Sequence, residues 1–181
     1  MTGSEADRAQ RFRDAALPHL DAVYTLARYL LRNSVDADDA VQECYLRAFR
    51  HFDSFRGTLI KPWLLAILRN VCRSEYARRA QFADAEAANT ENVTPLWVEP
   101  QDSPEAAVLR RLDGETMQRL LETLPDSYRE ILILRELDDL SYREIADVIG
   151  APIGTVMSRL ARARALLRDA WIAANDKEQA A

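Results

Sequence analysis

Thr155, Ser158, Arg159 and Arg162 stand at i, i+3, i+4 and i+7, so a helix through them presents short polar groups near its N-terminus and guanidiniums behind. No acid occurs between residues 155 and 168, where Arg159, Arg162, Arg164 and Arg168 all lie. Such a face fits the major groove of a DNA duplex, which admits an α-helix and offers acceptors to arginine. Met157 lies at its edge, and Arg164 and Arg168 are expected on phosphates or acids. The same spacing also suits a helical hairpin with a solvated basic face.

What precedes these residues favours the groove. Ser141 and Glu144 form an S-x-x-E capping box, and Ile145, Ala146 and Ile149 give the short helix that follows one apolar face. Gly150 is placed to end that helix in a left-handed conformation, and Pro152 favours a fresh start. Val156, Leu160, Ala163 and Leu167 then supply the stripe of a second helix, expected over 153–168. The pattern is helix, tight turn, helix.

A second set of chemistry-bearing residues lies in the N-terminal half. Asp39, Gln42 and Glu43 share one polar helix face, suited to a basic partner surface. Asp36 and Asp38 are expected to serve the helix start, with Asp36 as its cap. His51, Phe52, Phe55, Arg56, Lys61 and Trp63 bracket Gly57, and Arg69, Asn70 and Arg73 continue a polar side beyond. Aromatic rings beside a basic track are what unstacked bases of single-stranded DNA require. Phe52 and Trp63 fit an apolar core equally well.

The elements that must position these residues read as helices. Leu20, Val23, Tyr24, Ala27, Leu30 and Leu31 make one stripe, with Pro18 near its start. Ala37, Val41, Cys44, Tyr45, Ala48 and Phe52 make a second, and Leu64, Ile67, Leu68, Val71 and Cys72 a third beginning after Gly57, with Pro62 in its first turn. Periodicity fails over about 80–103, which is acidic and proline-punctuated and reads as a linker. Leu96, Trp97 and Val98 interrupt it and are expected to dock on something. Helical spacing resumes with Leu109, Leu112, Met117, Leu120, Leu121 and Leu124, then with Ile131, Leu132, Leu134 and Leu137 after Pro125. The fold class is all-α: two small helical domains joined by a flexible acidic linker, the second containing the helix-turn-helix. The expected bounds are 8–80, 81–108 and 109–172.

Composition agrees. With 181 residues, 48% hydrophobic, 29% charged and few Gly or Pro, the chain is globular and sized for one or two domains. The net charge of −5 conceals alternating blocks: acidic over 36–43, basic over 61–79, acidic over 80–109, basic over 155–168. Of 24 basic residues 22 are Arg, which suits forked contacts to phosphates and base edges or reflects codon bias. Cys44 and Cys72 sit in apolar patterns and, with His19 and His51, make no close-spaced metal set. No P-loop, HExxH or nucleophile-elbow motif occurs, so no catalytic site, metal or cofactor is expected. No apolar run is long enough to span a bilayer and the start has no signal-peptide core, so the expected location is cytoplasmic.

LPDSYREILILRELDDLSYREIADVIGAPIGTVMSRLARARALLR resembles region four of bacterial sigma factors of the extracytoplasmic-function type, group IV of the sigma-70 family. DADDAVQECYLRAFRHFDSFRG followed by KPWLLAILRNVCRSEYARR resembles their region two. The resemblance implies that Asp39, Gln42 and Glu43 meet the clamp helices of the largest RNA polymerase subunit. It implies that His51, Phe55, Arg56, Lys61, Trp63, Arg69, Asn70 and Arg73 bind the minus-ten element and capture a flipped base, with Pro62 a departure that bears on base preference. It implies that Thr155, Ser158, Arg159 and Arg162 read the minus-35 element, that the linker threads the polymerase's RNA path, and that a cognate anti-sigma factor restrains the chain. Two other classes stay open here: a helix-turn-helix regulator with an N-terminal sensor domain, and an all-helical interaction adaptor.

Overall fold

In the computed structural model, which describes residues 2–82 and 114–179, every regular element is helical. The chain divides into two compact units. The first carries α1 (Thr2–Ala16), α2 (Leu20–Leu31), α3 (Ser34–His51) and α4 (Ile60–Phe82). Short 3-10 turns, Leu17–His19 and Phe52–Ser54, follow α1 and α3. Its core is the contact of α2, α3 and α4 through Val23, Leu26, Leu30, Ala37, Ala40, Cys44, Ala48, Leu64, Leu65 and Leu68.

Three details correct the sequence reading. Leu20 and Tyr24 are 41% and 36% exposed, because fully buried Leu26 centres the inner face of α2 on Val23, Leu26, Ala27 and Leu30. The cap of α3 is Asn33, not Asp36: its extended backbone lets Oδ1 accept from the amides of Val35 (2.9 Å) and Asp36 (3.4 Å). Asp36 sits inside the first turn, where its charge suits the helix dipole. The third correction is α1 itself, which apolar periodicity does not announce. Among its residues whose burial is described, only Phe12 and Ala16 of this charge-rich segment are buried. Phe12 inserts edge-on among Tyr45, Phe49 and Phe52, with ring centroids 6.2, 5.3 and 5.3 Å away. Phe52, half-buried, therefore packs on Phe12 at the edge of the core.

The second unit carries α5 (Gly114–Thr123), α6 (Asp126–Leu132), α7 (Tyr142–Ile149) and α8 (Ile153–Gln179). Between α5 and α6 the guanidinium of Arg129 is fully buried: Nε donates to the Leu121 carbonyl (2.8 Å), Nη2 to that of Leu124 (2.6 Å), and Nη1 pairs with Asp126 (3.0 Å). It thereby ties the Leu121 carbonyl, which also accepts from the Leu124 amide (3.2 Å), to the Leu124 carbonyl just past the end of α5. After α6 the chain widens into a π-helical turn, Ile133–Leu137, closed by the Asp138 amide on the Ile133 carbonyl. The added residue rotates Leu137 outward, so it is 43% exposed rather than part of the expected stripe.

The helix-turn-helix forms as its residues dictate. Ser141 Oγ accepts from the Glu144 amide and Glu144 Oε2 from the Ser141 amide (2.7 Å). Gly150 ends α7 at φ 65°, where a side chain would be strained. Val156, Leu160, Ala163 and Leu167 are all buried, and α8 continues past the expected end at 168 to Gln179. Leu96, Trp97 and Val98, most of the expected linker, and Leu109 and Leu112 lie outside the described residues.

Candidate nucleic-acid interface

The four arginines of α8 divide into two pairs. Arg164 turns inward, and Nη2 and Nε meet Glu136 Oε1 at 2.7 and 3.1 Å, with both side chains 14% exposed. Burial works against its charge, but the bonds and charge of Glu136, with Tyr142 adding, raise its pKa. Arg168 lies along Asp169 at 3.3 Å. Among the described residues Arg159 and Arg162 have no ion pair; Arg162 is exposed and Arg159 half-buried. Ser158 Oγ donates to the Thr155 carbonyl, which fixes the hydroxyl beside the first turn. Thr155, Ser158, Arg159 and Arg162 thus form the outward polar face of α8, with exposed Ile153 (42%) at its entry.

In the first unit, Phe55 and Trp63 stack across the Gly57 loop with centroids 4.7 Å apart and planes tilted by 35°. A Cβ at Gly57 would stand 2.6 Å from the Phe55 ring, so the ring can lie over the loop only because residue 57 lacks a side chain. Arg56 donates from Nη1 to the carbonyls of Asp53 (2.6 Å) and Phe55 (3.2 Å), which tightens the turn while the residue stays exposed. His51, Asn70 and Arg73 are exposed, and Phe55, Lys61, Trp63 and Arg69 half-buried. Leu59, 57% exposed at the loop's end, was not singled out from sequence. His19 is held below its usual pKa by burial and by the charge of Lys61.

On α3, Asp39 and Gln42 are exposed, and Glu43 is half-buried and paired with Arg47 at 2.6 Å. Leu46, 51% exposed, lies three and four residues beyond Glu43 and Gln42 on the same face. The sequence signal for it was its failure to fall on the stripe Ala37, Val41, Cys44. An acidic face with one apolar residue at its end suits a basic protein surface better than a nucleic acid.

The sigma-70 region 2 family matches residues 16–82, and the sigma-70 region 4 family residues 108–167. The curated ECF RNA polymerase sigma factor SigW of Bacillus subtilis is 33% identical over 162 residues, 87% of each chain. The chain belongs to the extracytoplasmic-function RNA polymerase sigma factors. The ECF RNA polymerase sigma-E factor of Escherichia coli is 38% identical to this sigma factor over 136 residues, 72% of this chain and 71% of that one. Two solved structures share its fold. The sigma factor RpoE in complex with the anti-sigma factor NepR, from Bartonella quintana, has a TM-score of 0.67 and 28% identity over 90% of this chain and 97% of that one. CnrH in complex with the cytosolic domain of CnrY has a TM-score of 0.62 and 25% identity over 93% and 94%. Region 2 of this sigma factor contains the α3 face and the Gly57 loop, and region 4 contains the helix-turn-helix. A regulator with a sensor domain has no use for the first, and that alternative is set aside. Among the described residues, no helix is long and apolar enough to cross a membrane.

Proposed function

We propose that this sigma factor is an alternative initiation factor of the cytoplasm that binds core RNA polymerase, opens promoters and is restrained by an anti-sigma factor; it is not an enzyme. The observation that carries this is the pairing of region 2 and region 4 in one chain. The working division is 8–80 for region two, 81–108 for the linker and 109–172 for region four. Asp39, Gln42 and Glu43, with Leu46, form the surface for a basic part of the polymerase clamp. His51, Phe55, Arg56, Lys61, Trp63, Arg69, Asn70 and Arg73 take the minus-ten element, with the Phe55 and Trp63 stack as the flat surface for an unpaired base. Thr155, Ser158, Arg159 and Arg162 read the minus-35 duplex.

The net negative charge supports dependence on polymerase, because phosphate neutralisation supplies most non-specific affinity for DNA. Two complexes of similar folds with anti-sigma or partner domains support the restraint. Co-elution with core polymerase tests the first surface. Asp39→Arg with Glu43→Arg abolishes it while leaving α3 intact, since Asn33 still caps the helix. Arg159→Ala weakens minus-35-dependent transcription by about 1–3 kcal/mol. Equal loss on a template with a scrambled minus-35 element refutes base reading by that residue.

A further inference from the structure

We propose that Arg8, on α1, is a positioning residue for promoter opening: it clips the segment that carries the Gly57 loop. The inference rests on the minus-ten reading of that loop. Arg8 precedes residue 16, where the region 2 match begins.

The Arg8 guanidinium makes four contacts, of three kinds, with one short stretch. Nη2 donates to the carbonyls of Phe49 (2.6 Å) and Arg50 (3.3 Å) in the last turn of α3, where the Phe49 carbonyl also accepts from the Phe52 amide. Nε pairs with the Asp53 carboxylate at 2.8 Å, and the guanidinium carbon lies 4.6 Å over the Phe49 ring. Asp53 in turn offers its carbonyl to Arg56, and Phe55 covers Gly57 and stacks on Trp63. One side chain thus links α1 to the end of α3, the 3-10 turn and the entry of the loop. The contacts are divided between two nitrogens of one planar fork, Nη2 and Nε, whereas the three donors of a lysine ammonium radiate from a single nitrogen on a differently shaped stem. Phe12, one turn further along α1, is buried among Phe49, Phe52 and Tyr45. Removal of Arg8 therefore leaves α1 docked and the unit folded.

A loop that must hold an unpaired base binds it more weakly if it first has to be ordered. Losing the fork should reduce capture by about tenfold, the ordering cost of one or two rotamer-rich side chains. The effect belongs to capture and not to polymerase binding, since Arg8 is remote in sequence from the α3 face and its contacts all lie at residues 49–53.

The test uses full-length chain assembled with core polymerase and follows opening by 2-aminopurine fluorescence in the minus-ten region. Templates carry a single abasic site stepped through the non-template minus-ten strand. Arg8→Met and Arg8→Lys, checked for unaltered helical content and core co-elution, should both slow opening about tenfold on the intact promoter. On the template abasic at the captured position that loss should shrink to within about twofold, because nothing remains to be captured. An intact-promoter rate equal to wild type, full rescue by Arg8→Lys, or the same loss on every abasic template overturns the proposal. Trp63→Ala is run alongside. If an abasic position masks Trp63→Ala but none masks Arg8→Met, the loop reading stands and the Arg8 proposal alone falls. If no position masks Trp63→Ala, the loop reading falls and the proposal with it.

Discussion

Removing Glu136 should destabilise the second unit without altering what α8 reads. In the folded chain Glu136 Oε1 accepts two bonds from Arg164, at 2.7 and 3.1 Å, and each side chain is 14% exposed. Bonds to a charged group contribute about 1.5–3 kcal/mol each when shielded, and stripping one partner leaves the other charge stranded. Tyr142, which also bonds Arg164, and the residual water access reduce that sum. We expect Glu136→Leu to cost about 2–3 kcal/mol and Arg164→Met a similar amount, with the double variant less destabilised than the sum by about 2 kcal/mol. Urea denaturation followed by circular dichroism measures all four corners of the cycle. A coupling energy below about 0.5 kcal/mol would mean that the pair is not a unit, and the separation of inward Arg164 from the outward Arg159 and Arg162 would lose its energetic basis. In transcription, Arg164→Met should weaken intact and scrambled minus-35 templates alike, the opposite of Arg159→Ala.

Arg129→Met should cost about 3 kcal/mol in the same denaturation assay, because the Leu124 carbonyl is left without the buried guanidinium; a loss under about 1 kcal/mol contradicts the capping role. His19 titrates below its ordinary value near 6.5, so below that pH the unfolded chain binds the extra proton first and stability falls as acidity rises. His19→Gln should flatten the stability profile just below about pH 6.5 and leave it unchanged above, and an unaltered slope refutes the assignment. Burial, with Cys72 adding, pushes the Cys44 thiol up to about 12, so a thiol-specific disulfide reagent at pH 8 should label it only at the rate of unfolding. Prompt labelling of the native chain would show that the α3–α4 contact opens locally.

Local chemistry made the helix-turn-helix legible. Ser141, Glu144, Gly150 and the Val156–Leu167 stripe act over a few residues, and each does in the fold what its type requires. The same holds for Gly57, whose missing side chain admits the Phe55 ring. What escaped the reading depends on distant partners. Helix α1 is held by Phe12 and by Arg8, whose acceptor at Phe49 lies 41 residues away. Arg164, expected on phosphates or acids, takes as its acid Glu136, 28 residues earlier, which no pattern within α8 reveals. The π turn that exposes Leu137 and the choice of Asn33 over Asp36 as cap each rest on a shift of one to three residues, below what apolar spacing resolves.

The most direct test of the account is run-off transcription by purified core polymerase with and without the full-length chain, on a template bearing promoters from the producing genome. The account predicts discrete transcripts that appear only when the chain is added and that vanish when Asp39 and Glu43 are both changed to Arg. Unchanged transcription on addition of the chain, together with tight sequence-specific duplex binding in the absence of polymerase, would contradict it.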